Sequence, residues 1–240
     1  MTFVPEFRTS GEADPWAHRK GEPRLFTLFW AVYLMSAALL TIFGTRALAP
    51  PAVAQYRFGC QSMLLLTAVG ITVLWPVTRL SQAAPARPGR AAAMDLAAVL
   101  LPVQAVVWPM PFLTRWPFEV IGALALLLTT WGVVAACTIA TGVRGRTLGS
   151  RTTAMAALLV AALAGPAVMS GYALFAVGSE PPRFWAWLSP FVGVYALTES
   201  PAHRAPEVPA AAWFVVAAPG IAALLLAPIG SRFANSRTPL

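Results

Sequence analysis

The stretch FEVIGALALLLTTWGVVAACTIAT, at Phe118–Thr141, is predominantly apolar and carries no charged side chain at its centre. A helix of about twenty such residues matches the ~30 Å hydrocarbon core of a bilayer, because each residue rises ~1.5 Å. A soluble domain would instead show amphipathic stripes, and only 11% of this chain is charged. Five further apolar runs of this kind lie at Leu25–Gly44, Cys60–Val77, Met94–Leu113, Thr152–Val177 and Ala210–Ile229. The sequence therefore predicts an all-α, polytopic membrane bundle of six transmembrane helices, here called spans one to six.

The basic residues predict the orientation of these spans, since cytoplasmic loops carry an excess of Lys and Arg. With the N-terminus in the cytoplasm, twelve basic residues fall inside: Arg8, Arg19, Lys20, Arg24, Arg79, Arg87, Arg90, Arg144, Arg146, Arg151, Arg232 and Arg237. Five fall outside: Arg46, Arg57, Arg115, Arg183 and Arg204. Both termini are therefore expected in the cytoplasm. Because the basic residues follow this orientation, the net charge of +8 does not indicate nucleic-acid binding. An odd number of spans would require one re-entrant run, and Met94–Leu113, with three prolines, is the weakest span.

The spans divide the chain into three parts. Residues 1–24 are expected to form a cytoplasmic N-terminal segment at the membrane interface, and they lack the apolar core and cleavage site of a secretory signal. Residues 25–230 form the six-helix transmembrane domain, and residues 231–240 form a cytoplasmic tail. Loop two (Arg79–Ala93) is expected inside and is broken by prolines, whereas loop three (Thr114–Pro117) is a tight external turn that makes spans three and four an antiparallel hairpin.

The longest loop, at residues 178–209, is expected on the extracytoplasmic side. It contains the apolar stretch FWAWLSPFVGVYAL at Phe184–Leu197, which is too short to span a bilayer and is interrupted by Pro190 and Gly193. Such a stretch predicts a pair of short helices that lie in the outer interface or dip into it.

The residue types that usually carry intramembrane chemistry are scarce. Ionisable side chains within spans mark proton relays, ion paths and cofactor ligands, but Asp95 and Glu119 are expected at helix ends. Both histidines lie outside the spans, and the single lysine, Lys20, precedes span one. Cys60 and Cys137 lie within spans, where free Cys behaves as a small hydrophobe. We therefore expect no catalytic residue, no cofactor and no metal site, and a protein that is not an enzyme.

The segment WLSPFVGVYALTE, at Trp187–Glu199, resembles a stretch found in membrane subunits of ABC-2 type transporters. Those proteins carry a Ser-Pro-Phe element followed by a short apolar helix between their fifth and sixth spans, where this chain has Ser189, Pro190 and Phe191. A second reading is that these residues simply cap an interfacial helix, with proline in its first turn.

The resemblance extends to six spans, both termini inside and an amphipathic segment before span one. It implies that loop two docks on a separate cytoplasmic ATPase, with Arg79, Arg87 and Arg90 as the contact residues. The chain departs from the pattern because loop two is rich in Pro and Ala and is not clearly helical, as a coupling helix would be. No Walker motif is present, so any ATP would be bound by another chain.

Two functions follow from these observations. The first is a permease subunit of an ATP-driven exporter or transporter, dimeric, in a bacterial cytoplasmic membrane, in contact with lipid and an ATPase. The alternative is a non-catalytic accessory subunit of a larger membrane complex, for example respiratory or photosynthetic. The absence of expected cofactor ligands fits that alternative directly.

Overall fold

The structure is a computed structural model that describes residues 22–44, 53–145, 147–175, 183–199 and 206–235. Of these residues 88% are helical and none lies in a strand, so the all-α class is confirmed. Six segments are long and apolar enough to cross a membrane, as the sequence predicts. Their bounds are Leu25–Ile42, Val53–Leu80, Pro88–Thr114, Phe118–Arg144, Leu148–Phe175 and Ala210–Ala227.

The α-helices of the described ranges include several short ones besides the spans. In chain order they are α1 (Glu22–Ala38), α2 (Val53–Val69), α3 (Trp75–Leu80), α4 (Pro88–Val107), α5 (Met110–Thr114), α6 (Phe118–Arg144), α7 (Leu148–Phe175), α8 (Arg183–Leu188), α9 (Val192–Thr198) and α10 (Ala210–Asn235). Two wider π turns, Leu39–Phe43 and Gly70–Leu74, extend α1 and join α2 to α3.

Spans two and four make up the centre of the bundle. In their most apolar segments 61% and 67% of the residues are buried, against 17–22% in the other four spans. The central helix α6 packs against α4, α7 and α10, while α1 packs against α2 and α4. The four outer spans therefore turn most of their surface away from the protein, toward lipid or toward other chains.

Span two changes its helical geometry just before Pro76. Proline lacks a backbone N–H, and in a regular α-helix its ring clashes with the carbonyl four residues earlier. The π turn Gly70–Leu74 is wider and accommodates Pro76 at the start of α3. Gly70 also lets span one approach closely, because a Cβ there would stand 2.7 Å from ring atoms of both Trp30 and Tyr33.

Several helices extend beyond the apolar runs that predicted them, so the connections are shorter than expected. Loop two, expected at Arg79–Ala93, is reduced to residues 81–87, because Arg79 lies in the last turn of α3 and the final residues belong to α4. Span two likewise begins at Val53 instead of Cys60. No helix forms within residues 81–87.

The predicted antiparallel hairpin of spans three and four is present. Residues 115–117 connect α5 to α6, and Arg115 adopts the left-handed conformation with a φ of 57°. The run around Met94–Leu113 is long and apolar enough to cross a membrane, since helical structure extends from Pro88 to Thr114 with a break at Trp108 and Pro109.

Hydrogen bonds between spans distinguish the two ends of the bundle. Arg151, at the start of α7, donates to the Leu80 carbonyl at the end of α3, so residues 81–87 and the α6–α7 connection lie together. This end is called the arginine end. At the opposite end, Arg57 at the start of span two donates to the Thr114 carbonyl at the end of span three. It is called the hairpin end, because α8 and α9 enter from it.

The predicted terminal segments fall largely outside the described residues. This applies to residues 1–21 of the N-terminal segment, to residues 236–240 of the tail, and to residues 178–182 and 200–205 of the long loop. At the boundaries, α1 begins at Glu22 and α10 continues to Asn235, five residues into the part expected as tail.

Candidate functional site

The apolar stretch between spans five and six forms a helical hairpin, here called the re-entrant hairpin (Arg183–Thr198). It consists of α8 and α9 joined by Ser189, Pro190 and Phe191, as the predicted pair of short helices requires. Helix α8 packs against both α7 and α10, while α9 packs against α6 and α2. The hairpin therefore occupies the space between spans five and six.

The tip of the hairpin reaches the middle of the bundle. The indole Nε1 of Trp131 donates a hydrogen bond to the Leu188 carbonyl at 3.1 Å. Trp131 is thirteen positions from each end of α6, at Phe118 and Arg144, so this bond lies at the midpoint of a central span. On the other side, Gly165 of α7 touches Ser189 so closely that a Cβ at position 165 would overlap the serine side chain.

The backbone at the tip is satisfied within the protein, as non-helical chain at membrane depth requires. The Ser189 hydroxyl accepts hydrogen bonds from the N–H groups of Phe191 and Val192, each at 3.3 Å. The Ser189 carbonyl accepts from Gly193 at 2.9 Å, and Ser189 and Pro190 are both buried. Ser189 therefore satisfies backbone groups at the start of α9, but Pro190 precedes that helix and does not lie in its first turn.

The base of the hairpin has its own polar anchor. The Gln61 side chain donates to the Thr198 hydroxyl at 2.8 Å, and that hydroxyl donates in turn to the Val194 carbonyl. Thr198 is buried although it lies at the hairpin end. Together with the Trp131 bond, this contact fixes both ends of the hairpin to the central spans two and four.

The arginine end contains a buried ion pair that the sequence did not predict. Arg79 contacts Asp95 through two atoms, with Nη2 2.8 Å from Oδ1 and Nε 2.7 Å from Oδ2. Their side chains are only 1% and 5% exposed. The expectation that Asp95 lies at a helix end is wrong, because Asp95 is seven residues inside α4, buried against Arg79 of α3. Arg79, expected as a surface contact, is likewise an interior residue.

Arg79 connects further elements of this end. Its Nη1 donates to the Gln82 side chain at 2.8 Å, and its guanidinium carbon lies 4.1 Å from the centre of the Phe26 ring of α1. A cation over an aromatic face gains electrostatic stabilisation when both are removed from water. Arg151 adds a second tie, since its Nη1 donates to the Gln82 carbonyl at 2.7 Å. Gln82 is thus bonded to Arg79 of span two and to Arg151 of span five, and Arg79 in turn contacts spans one and three.

The other two predicted contact residues lie at the surface. Arg87 immediately precedes α4 and Arg90 lies in its first turn, and both are exposed. Among acidic residues whose side chains are described, Asp95 is the one at this end, and Arg79 neutralises it. The exposed surface of the arginine end is therefore basic.

Sequence reasoning did not predict the contacts of Trp131, Gly165, Gln61 and Asp95. Trp131 carries no motif, whereas Gly165 belongs with Ala157 and Ala161 to a spacing of small residues that indicates close helix packing without identifying the partner. Asp95 did leave a signal: it and Arg79 are opposite charges on either side of a short loop, which places them near each other if the flanking helices are antiparallel. No three His, Cys, Asp or Glu side chains within the described ranges gather as metal ligands would.

Comparisons with protein-family models, with curated proteins and with solved structures found no match to this chain.

Proposed function

We propose that this chain is the membrane-spanning permease subunit of an ATP-driven, ABC-2 type transporter, with its ATPase on a separate chain. The observation that carries the proposal is the re-entrant hairpin between spans five and six. It lies in the position that the Ser189–Phe191 resemblance implies, and its tip reaches Trp131 at the middle of α6. Six spans accompany it.

The proposal places the arginine end in the cytoplasm, on the positive-inside argument. The ATPase contacts residues 81–87 and the first turn of α4, where Arg87 and Arg90 are exposed. Arg79 has a different task in this scheme. Its bonds to Asp95 and Gln82 transmit movement of the loop to spans two and three, and Arg151 extends the connection to span five.

The substrate in this scheme is apolar, such as a lipid, a hydrophobic small molecule or a hydrophobic peptide. The polar side chains Gln104 and Thr129 lie at mid-membrane depth and are bonded to each other, with Gln104 Nε2 3.0 Å from the Thr129 hydroxyl. Side chains that are already hydrogen-bonded to each other do not replace the hydration shell of a transported ion.

Affinity purification of the full chain from native membranes in a mild detergent tests the proposal. We expect a protein with a Walker motif to co-purify with the chain. In the double variant Arg87→Gln with Arg90→Gln, that protein should no longer co-purify, while membrane insertion is unchanged. Arg115→Gln is the matched control, because Arg115 is an exposed arginine at the hairpin end. Purification without any nucleotide-binding partner would exclude the permease role.

A second candidate is an accessory subunit of a larger membrane complex, and one observation favours it. Spans five and six are only 17% buried in their most apolar segments, which leaves broad faces for other transmembrane chains. The same purification distinguishes the candidates, because this one predicts cofactor-bearing membrane chains in place of an ATPase.

A further inference from the structure

One side of α6 carries an open apolar stripe that ends in a cation. Val133, Cys137 and Ala140 follow at helical spacing, and each is only half-buried. Arg144 continues this stripe four residues later and is exposed. From Val133 to Arg144 the stripe rises about 16 Å.

The stripe lies between two neighbours of α6. Gly132, on one side of it, contacts Leu96 and Leu100 of α4. Thr130, on the other side, donates to the Val216 carbonyl of α10 at 3.0 Å. In helical projection, residue 133 falls between these two positions. The half-buried stripe is therefore the floor between α4 and α10, on the half of α6 that approaches the arginine end.

Arg144 reaches the start of α4. Its Nη2 atom lies 3.2 Å from the position that a Cβ would take at Gly89, and the next residue, Arg90, is also exposed. Neither arginine forms an ion pair with any residue that the structure describes. Arg144 thus lies where the stripe ends, and the described carboxylate at this end, Asp95, is already bound to Arg79.

The depth of this surface favours a lipid as its occupant. If Trp131 marks the bilayer centre, Arg144 lies about 20 Å from it, since the two are thirteen positions apart, whereas the hydrocarbon half-thickness is about 15 Å. Arg144 is then at headgroup level, and the stripe lies at acyl-chain level. An acidic protein segment in water would meet the arginines but could not extend along the stripe.

We propose that this surface binds an anionic phospholipid, with its phosphate on Arg144 and one acyl chain along Val133, Cys137 and Ala140. Guanidinium groups bind phosphate oxygens in a two-point geometry. A zwitterionic lipid is disfavoured because no unpaired carboxylate is described here to receive its ammonium group. This site is independent of the permease proposal.

Native mass spectrometry of the detergent-purified full chain tests the site. The chain is titrated with dioleoylphosphatidylglycerol and, in parallel, with dioleoylphosphatidylcholine. We expect dioleoylphosphatidylglycerol to bind more tightly than dioleoylphosphatidylcholine. Arg144→Gln should weaken phosphatidylglycerol binding about fivefold, because one arginine near an anionic lipid surface contributes about that factor. Arg144→Lys should retain much of the preference, and the control Arg115→Gln should change nothing.

Three results would overturn the site. The first is equal affinity for both lipids in the unmodified chain. The second is displacement of the glycerol lipid by inorganic phosphate at the same concentration, which would indicate a phosphate site without an acyl-chain contribution. The third is unchanged lipid binding in Arg144→Gln together with loss of a co-purifying protein, which would identify a protein contact.

Discussion

Arg79 and Asp95 stand sixteen residues apart in the sequence and form a two-point ion pair in the interior of the arginine end. A charge buried without its partner is strongly destabilising, whereas replacement of both members by apolar groups is often tolerated. The pair therefore ties span two to span three, and with Gln82 it holds the connecting loop in one arrangement.

The ion pair gives the first prediction. Asp95→Ala should destabilise the protein by roughly 3–5 kcal/mol, because it leaves the Arg79 guanidinium buried and unpaired. The double variant Arg79→Met with Asp95→Leu should recover much of this loss. Thermal unfolding in detergent, followed by circular dichroism, measures both. Arg87→Gln serves as the control, since Arg87 is exposed. A double variant as unstable as the single one would contradict the pairing.

The contact between Gly165 and Ser189 gives the second prediction. Gly165→Ala should destabilise the fold by about 1–3 kcal/mol, because the added methyl group overlaps Ser189 and the hairpin must shift. Gly171→Ala, on the same helix with no atom near its Cβ position, should be neutral. In a double-mutant cycle, Ser189→Gly should reduce the effect of Gly165→Ala, and strictly additive effects would show that the two residues do not touch.

The Trp131 indole gives the third prediction. Trp131→Phe keeps most of the apolar volume but removes the bond to the Leu188 carbonyl, so the tip of the hairpin should loosen by about 1 kcal/mol. Protease cleavage within Arg183–Thr198 in intact membranes should become faster than in the unmodified protein. Trp108→Phe is the matched control, because the Trp108 indole bonds to Gln104 away from the hairpin. Equal cleavage rates in all three proteins would refute the anchoring role.

The orientation of the spans gives the fourth prediction. Single cysteines at Ser81 and Thr147, both exposed at the arginine end, should react with a membrane-impermeant maleimide only after the cytoplasmic side is opened. A cysteine at Glu199, exposed at the hairpin end, should react in sealed cells. The native Cys60 and Cys137 are replaced by Ala in all variants. Reaction of Ser81→Cys in sealed cells would reverse the topology that the charge distribution predicts.

The number of spans and the all-α class could be predicted from local sequence. Each span can be recognised from its local sequence, because a helix that crosses the hydrocarbon core must be apolar over ~20 residues, whichever helices surround it. The ends could not be placed in the same way. Span two begins at Val53, and the polar Arg57 near its start bonds to the Thr114 carbonyl of another span. Because Thr114 belongs to another span, the sequence around Arg57 does not predict this bond.

The candidate site was predictable only in its outline. The interruption at Pro190 within an apolar stretch too short to span predicts two short helices, and these are present. Their depth was not predictable, because an apolar hairpin is equally compatible with the membrane surface and with the interior. The hairpin tip lies in the interior because Gly165 leaves space for Ser189 and Trp131 donates a hydrogen bond to the Leu188 carbonyl. Both residues belong to other spans.

By itself, the sequence determined the helical class, the six apolar segments and the place of the interrupted stretch between spans five and six, since these depend on the solvent that each segment meets. Tertiary structure decided that Arg79 pairs with Asp95, that Ser189 lies against Gly165, and that Arg144 closes an open stripe beside Gly89. The physical reason is that lipid-facing and protein-facing positions are equally apolar in a membrane helix. Only the packing of the helices shows which of them meet.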